Sequence, residues 1–201
     1  MIVEKKAQTS VVIHDLIARR WSPRAFDKSK QIERGQMLAL FEAARWAPSC
    51  YGDEPWRYLI WERHREPDSW QKAFECLGKS NQAWVKNAPL LLASIAGSQF
   101  ARNGKPNRWG QHDTGAASEN LVLQAVALGL AAHQMGGFDG DMLRERFAIP
   151  SGYTPMAMIA VGYQADADIL DGEIKERELA PRARRPLGEK FFAGRWGVPV
   201  V

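Results

Sequence analysis

Arginine residues are concentrated at two places in this sequence of 201 residues, one near each end. Arg20, Ser22 and Arg24 lie within five residues near the beginning, and Arg182 and Arg184 alternate near the end. A guanidinium group can donate two parallel hydrogen bonds to a phosphate, and a serine hydroxyl adds a further donor. Alternate side chains of an extended segment point the same way, so Arg182 and Arg184 could converge on one anion. Each cluster is therefore a candidate anion-binding site, with a solvated basic surface as the alternative.

Two further segments contain small residues that would let backbone amides approach a flat ligand. The first, Ala47–Trp56, is a tight loop with two prolines between a predicted helix and a predicted strand. The second, Gln134–Asp139, includes the pair Gly136 and Gly137. Because glycine lacks a Cβ, this pair permits positive φ angles or a close contact with a ligand. A turn that simply ends a helix is the alternative explanation.

Hydrophobic periodicity predicts the elements that position these segments. The predicted helices cover residues 12–19, 34–46, 68–77, 113–130 and 139–147, and the predicted strands cover residues 56–61, 90–96 and 156–163. This order indicates an α+β protein and lacks the regular alternation of a doubly wound sheet. The sequence has no GxGxxG motif after a strand and no phosphate-binding GxxxxGKS/T motif, which excludes the Rossmann and P-loop classes.

Three segments have predicted roles in the shape of the molecule. The helix over residues 113–130 is apolar on nearly every side in its second half, so it must be buried in the core or in a subunit interface. Residues 98–112 are polar and predict a mobile surface loop. Residues 164–201 predict an extended tail that wraps over its own domain or over a partner subunit. We expect residues 1–201 to form a single domain.

The composition excludes several other classes of protein. Hydrophobic residues make up 45% and charged residues 25%, as in ordinary soluble proteins, and no segment is long and apolar enough to span a bilayer. Acidic residues are interleaved with the basic ones that give the net charge of +4, which argues against nucleic-acid binding. The four histidines lack metal-ligand spacing, so no metal site is expected. Cys50 and Cys76 suggest no disulfide framework, and we expect a cytoplasmic location.

The order and spacing of these motifs resemble the nitroreductase family of flavoenzymes. The segments that carry the resemblance are RRWSPRAF (19–26), ARWAPSCYGDEPWRYLI (44–60), NQAWVKNAP (81–89), ENLVLQAVALGL (119–130), GGFD (136–139), AVGY (160–163) and RARRPLGE (182–189). Together they place residues 12–197 within the resemblance, which is nearly the whole chain. The resemblance implies a three-layer α+β fold with a central, mostly antiparallel sheet flanked by helices. It further implies that the long buried helix lies at the interface of a homodimer and that the C-terminal tail is extended.

The resemblance also implies that FMN binds non-covalently at the dimer interface. Arg20 and Ser22 would bind the FMN phosphate, and Arg182 and Arg184 would complete that site. Arg24 would lie near the pyrimidine edge of the flavin ring, where a cation stabilises the anion that forms on reduction.

Residues of three other segments would contact the flavin ring, according to the same resemblance. Those that would reach it from the partner subunit are Pro48, Ser49 and Cys50. Asn81 would hydrogen-bond the ring, and the residues along its face or edge would be Gln134, Met135, Gly136 and Gly137, with the Gly136 N–H near the reactive ring nitrogen. Trp21 is included among the cofactor-binding residues without a defined role.

The expected activity follows from the resemblance, since in this family the flavin carries the chemistry and no obligatory catalytic side chain is expected. NADH or NADPH would deliver hydride, leave, and be replaced by a small-molecule acceptor such as a nitroaromatic, a quinone or an activated alkene. One departure from the family pattern is Gly52-Asp53-Glu54, where relatives often have asparagine, any residue and glutamine, so that Gly52 and Glu54 are the residues that differ. Two alternatives stay open: the same fold with specialised flavin chemistry, such as dehalogenation or flavin fragmentation, and a protein that stores flavin without turnover.

Overall fold

A four-stranded antiparallel sheet with helices on both faces organises the chain, and the computed structural model describes residues 2–201. Within those residues the α-helices are α1 (Asp15–Arg19), α2 (Arg34–Arg45), α3 (Pro67–Glu75), α4 (Lys79–Val85), α5 (Gly110–Ala127), α6 (Gly140–Arg146) and α7 (Gly172–Leu179). The strands are β1 (Trp56–Glu62), β2 (Leu90–Gly97), β3 (Ala131–Met135) and β4 (Tyr153–Gly162). Their order in the sheet is β1-β2-β4-β3, and each neighbouring pair is antiparallel. The predicted α+β class and the antiparallel sheet are confirmed.

Alternate residues of the strands form two hydrophobic cores. On β2, Leu91 and Ala93 face one core, whereas Leu90 and Leu92 face the other. This is the period of two expected of a strand that is covered on both faces. The first core packs against α3, α4 and α6, and the second packs against α2 and α5. The single domain stays a prediction, and the sheet that both cores share favours it.

Helix α5 ends at Ala127, three residues before the predicted end at residue 130. Gly129 has a φ of +71°, and the N–H of Leu130 donates to the carbonyl of Ala125 at 2.8 Å. A left-handed glycine just after the last turn commonly ends a helix, because it has no Cβ to oppose that conformation. Leu130 therefore leaves the helix and leads into β3. The apolar run through Leu130 concealed this boundary, so β3 was not predicted.

Two helices were also absent from the sequence prediction. α4 has only seven residues, too few to show a clear helical period. α7 lies inside the tail expected to be extended, so that expectation is wrong for Gly172–Leu179. Its sequence, GEIKEREL, has no apolar stripe, and the residue that it buries is Glu178.

The two ends of the chain meet within one subunit. The Nζ of Lys5 donates to the carbonyl of Ala180 at 2.6 Å, and the Nε2 of Gln164 donates to the carbonyl of Val3 at 2.8 Å. The beginning of the chain therefore lies against the segment that follows α7. None of the helices in residues 2–201 combines the length and apolar character that crossing a bilayer requires.

Candidate functional site

A cavity of about 360 Å³ opens where the two arginine clusters meet. Six of its lining side chains are cationic, namely Lys5, Arg20, Arg24, Arg177, Arg182 and Arg184. The remaining lining residues are Trp21, Ser22, Ala180 and Pro181. Folding thus brings together, within one subunit, the two clusters that the sequence marked as anion sites. The positive potential of such a cavity favours an anionic ligand.

Arg182 connects the two clusters directly. Its Nη1 donates to the carbonyl of Arg20, and its Nη2 donates to the carbonyl of Ala18. These carbonyls lie at the C-terminal end of α1, where helix carbonyls lack partners within the helix. The Nε of Arg182 is buried and has no hydrogen-bond partner among residues 2–201. Burial lowers the pKa of Arg182, and the neighbouring charges of Arg20 and Arg184 lower it further.

A buried carboxylate supports the first cluster. Glu178 of α7 has no exposed surface, and both of its oxygens lie 3.0 Å from the backbone nitrogen of Arg24. Its Oε1 also accepts from the N–H of Ala25 at 3.3 Å, and its Oε2 lies 3.6 Å from the Nη1 of Arg24. Sequence analysis missed Glu178, because nothing in the sequence distinguishes it from the other acidic residues of α7.

His133 on β3 joins the cavity to the sheet. Its Nδ1 lies 3.0 Å from the carbonyl of Pro23, and its ring centroid lies 4.5 Å from that of Trp84. Burial lowers the pKa of His133 to about 4, an effect that the hydrogen bond to Pro23 partly offsets. The imidazole is therefore neutral near pH 7, and its Nδ1–H donates to Pro23. Sequence analysis had predicted only that His133 does not belong to a metal site, and it had assigned this residue no other role.

Two cations of the cavity were not identified from the sequence. The Nζ of Lys5 lies 4.7 Å from the centre of the Trp21 ring, and burial lowers the pKa of this amine. Arg177 of α7 lines the same cavity and forms an ion pair with Glu173. The pair of Lys5 and Trp21 gives Trp21 a defined place as a wall of the cavity, where the sequence had assigned it none.

The expected ring-binding segment lies at the far end of β3. The Nδ2 of Asn81 donates to the carbonyl of Gly137 at 3.0 Å, and a Cβ placed on Gly137 would lie only 2.9 Å from that Nδ2. A Cβ placed on Gly136 would meet no atom within 4 Å, so space is open beside this residue. Gln134 is exposed, whereas Met135 is only 3% exposed and belongs to the first core. The side chain of Met135 is therefore part of the core and is not available to a ligand.

The loop of Pro48, Ser49 and Cys50 lies elsewhere in the subunit. The N–H of Cys50 donates to Asp113 of α5 at 2.9 Å, and the Oγ of Ser49 accepts from the N–H of Glu54 at 3.1 Å. This loop precedes β1, which is at one edge of the sheet, whereas β3 is at the other edge. Three strand spacings, about 14 Å, separate the two edges. The structure therefore does not bring this loop to the flavin-ring segment of the same subunit.

Backbone strain is concentrated in the same loop. Tyr51 and Glu54 have φ angles of 58° and 48°, and Gly52 has a φ of 66°. A residue with a side chain seldom adopts such angles, and strain of this kind is often found at functional sites.

This chain is similar to several known proteins. A model described as the nitroreductase family matches residues 17–163. A crystal structure of an oxidoreductase containing FMN has 35% sequence identity and a TM-score of 0.89, and the match covers 98% of this chain and 100% of that chain. An uncharacterized 15.4 kDa protein from Mycolicibacterium smegmatis is 41% identical over 121 residues, which are 60% of this chain and 79% of that protein. The major NAD(P)H-flavin oxidoreductase of Aliivibrio fischeri is 22% identical over 86% of this chain and 96% of its own length.

Proposed function

Because the chain belongs to the nitroreductase family, we propose that it is an FMN-dependent oxidoreductase that passes hydride or electrons from NAD(P)H to small acceptors. The acceptor classes are nitroaromatics, quinones and activated alkenes, and the donor and acceptor bind in turn. The observation that carries this proposal is the cavity in which Arg20, Ser22, Arg24, Arg182 and Arg184 come together. The similarity to an FMN-containing oxidoreductase supports FMN as the cofactor, and the similarity to the NAD(P)H-flavin oxidoreductase of Aliivibrio fischeri supports NAD(P)H as the donor.

The cavity fits the phosphate of FMN by its chemistry. It contains more cationic side chains than the neighbouring carboxylates can neutralise. Among residues 2–201, three of its six cations form ion pairs: Arg20 with Glu119 and Arg24 with Glu178, each at 3.6 Å, and Arg177 with Glu173. The Nε of Arg182 has no partner in the described part of the chain and is a buried donor that a phosphate oxygen would satisfy. Arg20, Ser22, Arg182 and Arg184 would hold the phosphate.

β3 provides the surface for the rest of the cofactor. His133, its middle residue, touches the Arg20–Arg24 segment through Pro23, and Gly136 and Gly137 follow its end. An extended ligand with its phosphate in the cavity would follow this edge strand toward Asn81. Bound FMN would supply hydride acceptance and release, while the residues of this chain bind the cofactor, orient it and leave the space beside Gly136 open.

The proposal requires two copies of the chain. Pro48, Ser49 and Cys50 lie at the opposite edge of the sheet from Gly136, so these residues can contact a flavin only if it is bound by a second subunit. A homodimer with two equivalent sites satisfies this requirement, because a two-fold axis presents the same loop to each site. α5, whose Gly115 and Glu119 are exposed in the single chain, is the helix proposed for the interface.

We propose a cytoplasmic location for this activity. Both cysteines, Cys50 and Cys76, are free thiols, which is the usual state in a reducing compartment. The donors NADH and NADPH are small soluble molecules, so no other macromolecule is required as a partner.

The decisive experiment starts from the purified protein, stripped of flavin and then incubated with FMN. We expect a yellow protein after gel filtration, eluting as a dimer, whose 450-nm band bleaches when NADH or NADPH is added without oxygen and returns when a quinone or nitroaromatic follows. Protein that stays colourless would overturn the proposal. Bound flavin that neither donor bleaches would favour flavin storage, and activity restricted to halogenated phenols would favour specialised chemistry.

A further inference from the structure

Residues 98–109, here called the basic loop, fold back on themselves between β2 and α5. The N–H of Phe100 donates to the carbonyl of Lys105 at 2.9 Å, and the N–H of Asn107 donates to the carbonyl of Ser98 at 2.8 Å. These bonds hold the two arms of the loop together, with Arg102 at its tip. The segment predicted from the sequence as a mobile surface loop therefore has a hydrogen-bonded shape. Its predicted range of 98–112 is too long, because residues 110–112 belong to α5.

Asp53 fastens the basic loop to the loop that contains Ser49 and Cys50. One of its carboxylate oxygens accepts from the N–H of Ala101 at 2.9 Å, and the other accepts from the Nδ2 of Asn107 at 3.1 Å. Asn107 is only 6% exposed, so this contact is part of the packed structure. Asp53, which lies between the two residues that depart from the family pattern, thus has a structural role, which is to hold the basic loop in place.

The basic loop carries three cations and no acidic residue. Arg102, Lys105 and Arg108 form no ion pair within the described part of the chain. The guanidinium carbon of Arg102 lies 3.9 Å from the centre of the Tyr51 ring, and that of Arg108 lies 4.6 Å from the Trp109 ring. Stacking on an aromatic face fixes a guanidinium while leaving its N–H groups free to donate at the edge.

These cations lie away from the proposed FMN phosphate site and close to the loop proposed to contact the flavin ring, where the donor and the acceptor would bind. Tyr51, on which Arg102 stacks, follows Cys50 directly, and Cys50 is a proposed contact of the flavin ring in the partner subunit. The cavity for the phosphate lies at the other end of the sheet, beside the residues that follow β4. The basic loop would therefore border the opening through which donor and acceptor reach the flavin.

We propose that the basic loop binds an anionic group of a substrate, either the 2′-phosphate of NADPH or a carboxylate or similar anion on the acceptor. This inference rests on the proposed function and identifies the substrate class of the same site. Arg102 provides the fixed, directional donor, and Lys105 and Arg108 add charge around it. Asp53 keeps these cations beside the opening, and its own charge is directed inward to Ala101 and Asn107.

The test compares the FMN-loaded enzyme with the triple variant Arg102→Gln, Lys105→Gln and Arg108→Gln. The control is Lys28→Gln, because Lys28 is an exposed cation near the opposite end of the sheet. One arm measures kcat/KM for NADPH and for NADH with a neutral quinone, and calorimetric titration of the oxidised enzyme with NADP+ and NAD+ accompanies it. The other arm measures kcat/KM for 4-nitrobenzoate and for 4-nitrobenzyl alcohol with a fixed donor.

We expect the triple variant to lose about tenfold in kcat/KM for either NADPH or 4-nitrobenzoate, mainly because KM rises. The kcat/KM for the matching substrate without the extra anion, NADH or 4-nitrobenzyl alcohol, should change by less than about twofold. A loss confined to NADPH, with weaker binding of NADP+, identifies the 2′-phosphate, and a loss confined to 4-nitrobenzoate identifies the acceptor. Arg102→Gln alone is measured as well, in case the triple variant does not fold, and Arg102→Lys is expected to retain most of the preference. Unchanged ratios in both arms, in an enzyme that still binds FMN and turns over, would overturn this inference and leave the proposed function intact.

Discussion

The carboxylate of Glu178 and the backbone N–H of Arg24 are hydrogen-bonded at 3.0 Å, although 154 residues separate them in the sequence. The contact fixes α7 against the turn that follows α1. It also places one buried negative charge beneath the cationic cavity, 3.6 Å from the Nη1 of Arg24. The tail and the first arginine cluster are therefore a single structural unit.

Replacing Glu178 by alanine should destabilise this unit. The N–H groups of Arg24 and Ala25 would lose a buried acceptor, and the free energy of unfolding should fall by about 3 kcal/mol. Glu178→Gln keeps one acceptor oxygen and should lose less than half as much. Urea denaturation of the flavin-free protein measures both values, with exposed Glu176→Gln as the control. Equal stability of wild type and Glu178→Ala would contradict the buried role.

Replacing Arg182 by lysine should weaken FMN binding. Lysine keeps the charge, but its single nitrogen cannot reproduce the fork in which Nη1 and Nη2 donate separately to the carbonyls of Arg20 and Ala18, so the phosphate-binding turn would lose part of its support. The Kd for FMN should rise by about tenfold or more. Quenching of FMN fluorescence gives the Kd, and Arg185→Lys is the matched control, since Arg185 is exposed and pairs with Glu189. An unchanged Kd would show that Arg182 does not belong to the phosphate site.

The two neighbouring glycines should respond differently to alanine. In Gly137→Ala, the new Cβ would displace the Asn81 amide, and loss of its bond to Gly137 should cost about 1 kcal/mol. Gly136→Ala should leave the stability of the flavin-free protein within about 0.5 kcal/mol, because its Cβ would enter open space. If the flavin ring occupies that space, Gly136→Ala should still raise the Kd for FMN. Denaturation curves and fluorescence titrations of both variants test the pair, and normal FMN binding by Gly136→Ala would place the ring elsewhere.

His133 should make the stability depend on pH between about 6.5 and 4. Its pKa falls from 6.5 in the unfolded chain to about 4 in the fold, so below pH 6.5 protons bind preferentially to the unfolded chain. Stability is therefore complete above pH 6.5 and decreases as the pH falls, by up to about 3 kcal/mol in total at about 1.4 kcal/mol per pKa unit. Denaturation at several pH values should show this slope in the wild type and lose it in His133→Gln. The slope should remain in His64→Gln, because His64 is exposed.

Much of the fold could be predicted because its signals are local. The continuous apolar run of β2, the apolar stripe of α2 and the capping of α6 by Asp139 all appear within a few residues of sequence. β3 was missed because the apolar run of α5 continues into it. α7 was missed because its burial depends on Glu178, and a buried acidic residue looks like an exposed one until its partners are known.

The sequence by itself determined the family, through the order and spacing of its motifs. It also identified six of the residues that line the cationic cavity: Arg20, Trp21, Ser22, Arg24, Arg182 and Arg184. Only the tertiary structure decided what supports them. Lys5, His133 and Glu178 act through contacts with residues more than a hundred positions away, which no local pattern encodes. It also decided that Cys50 and Gly136 belong to opposite edges of the sheet, because strand order depends on long-range pairing and not on spacing along the chain.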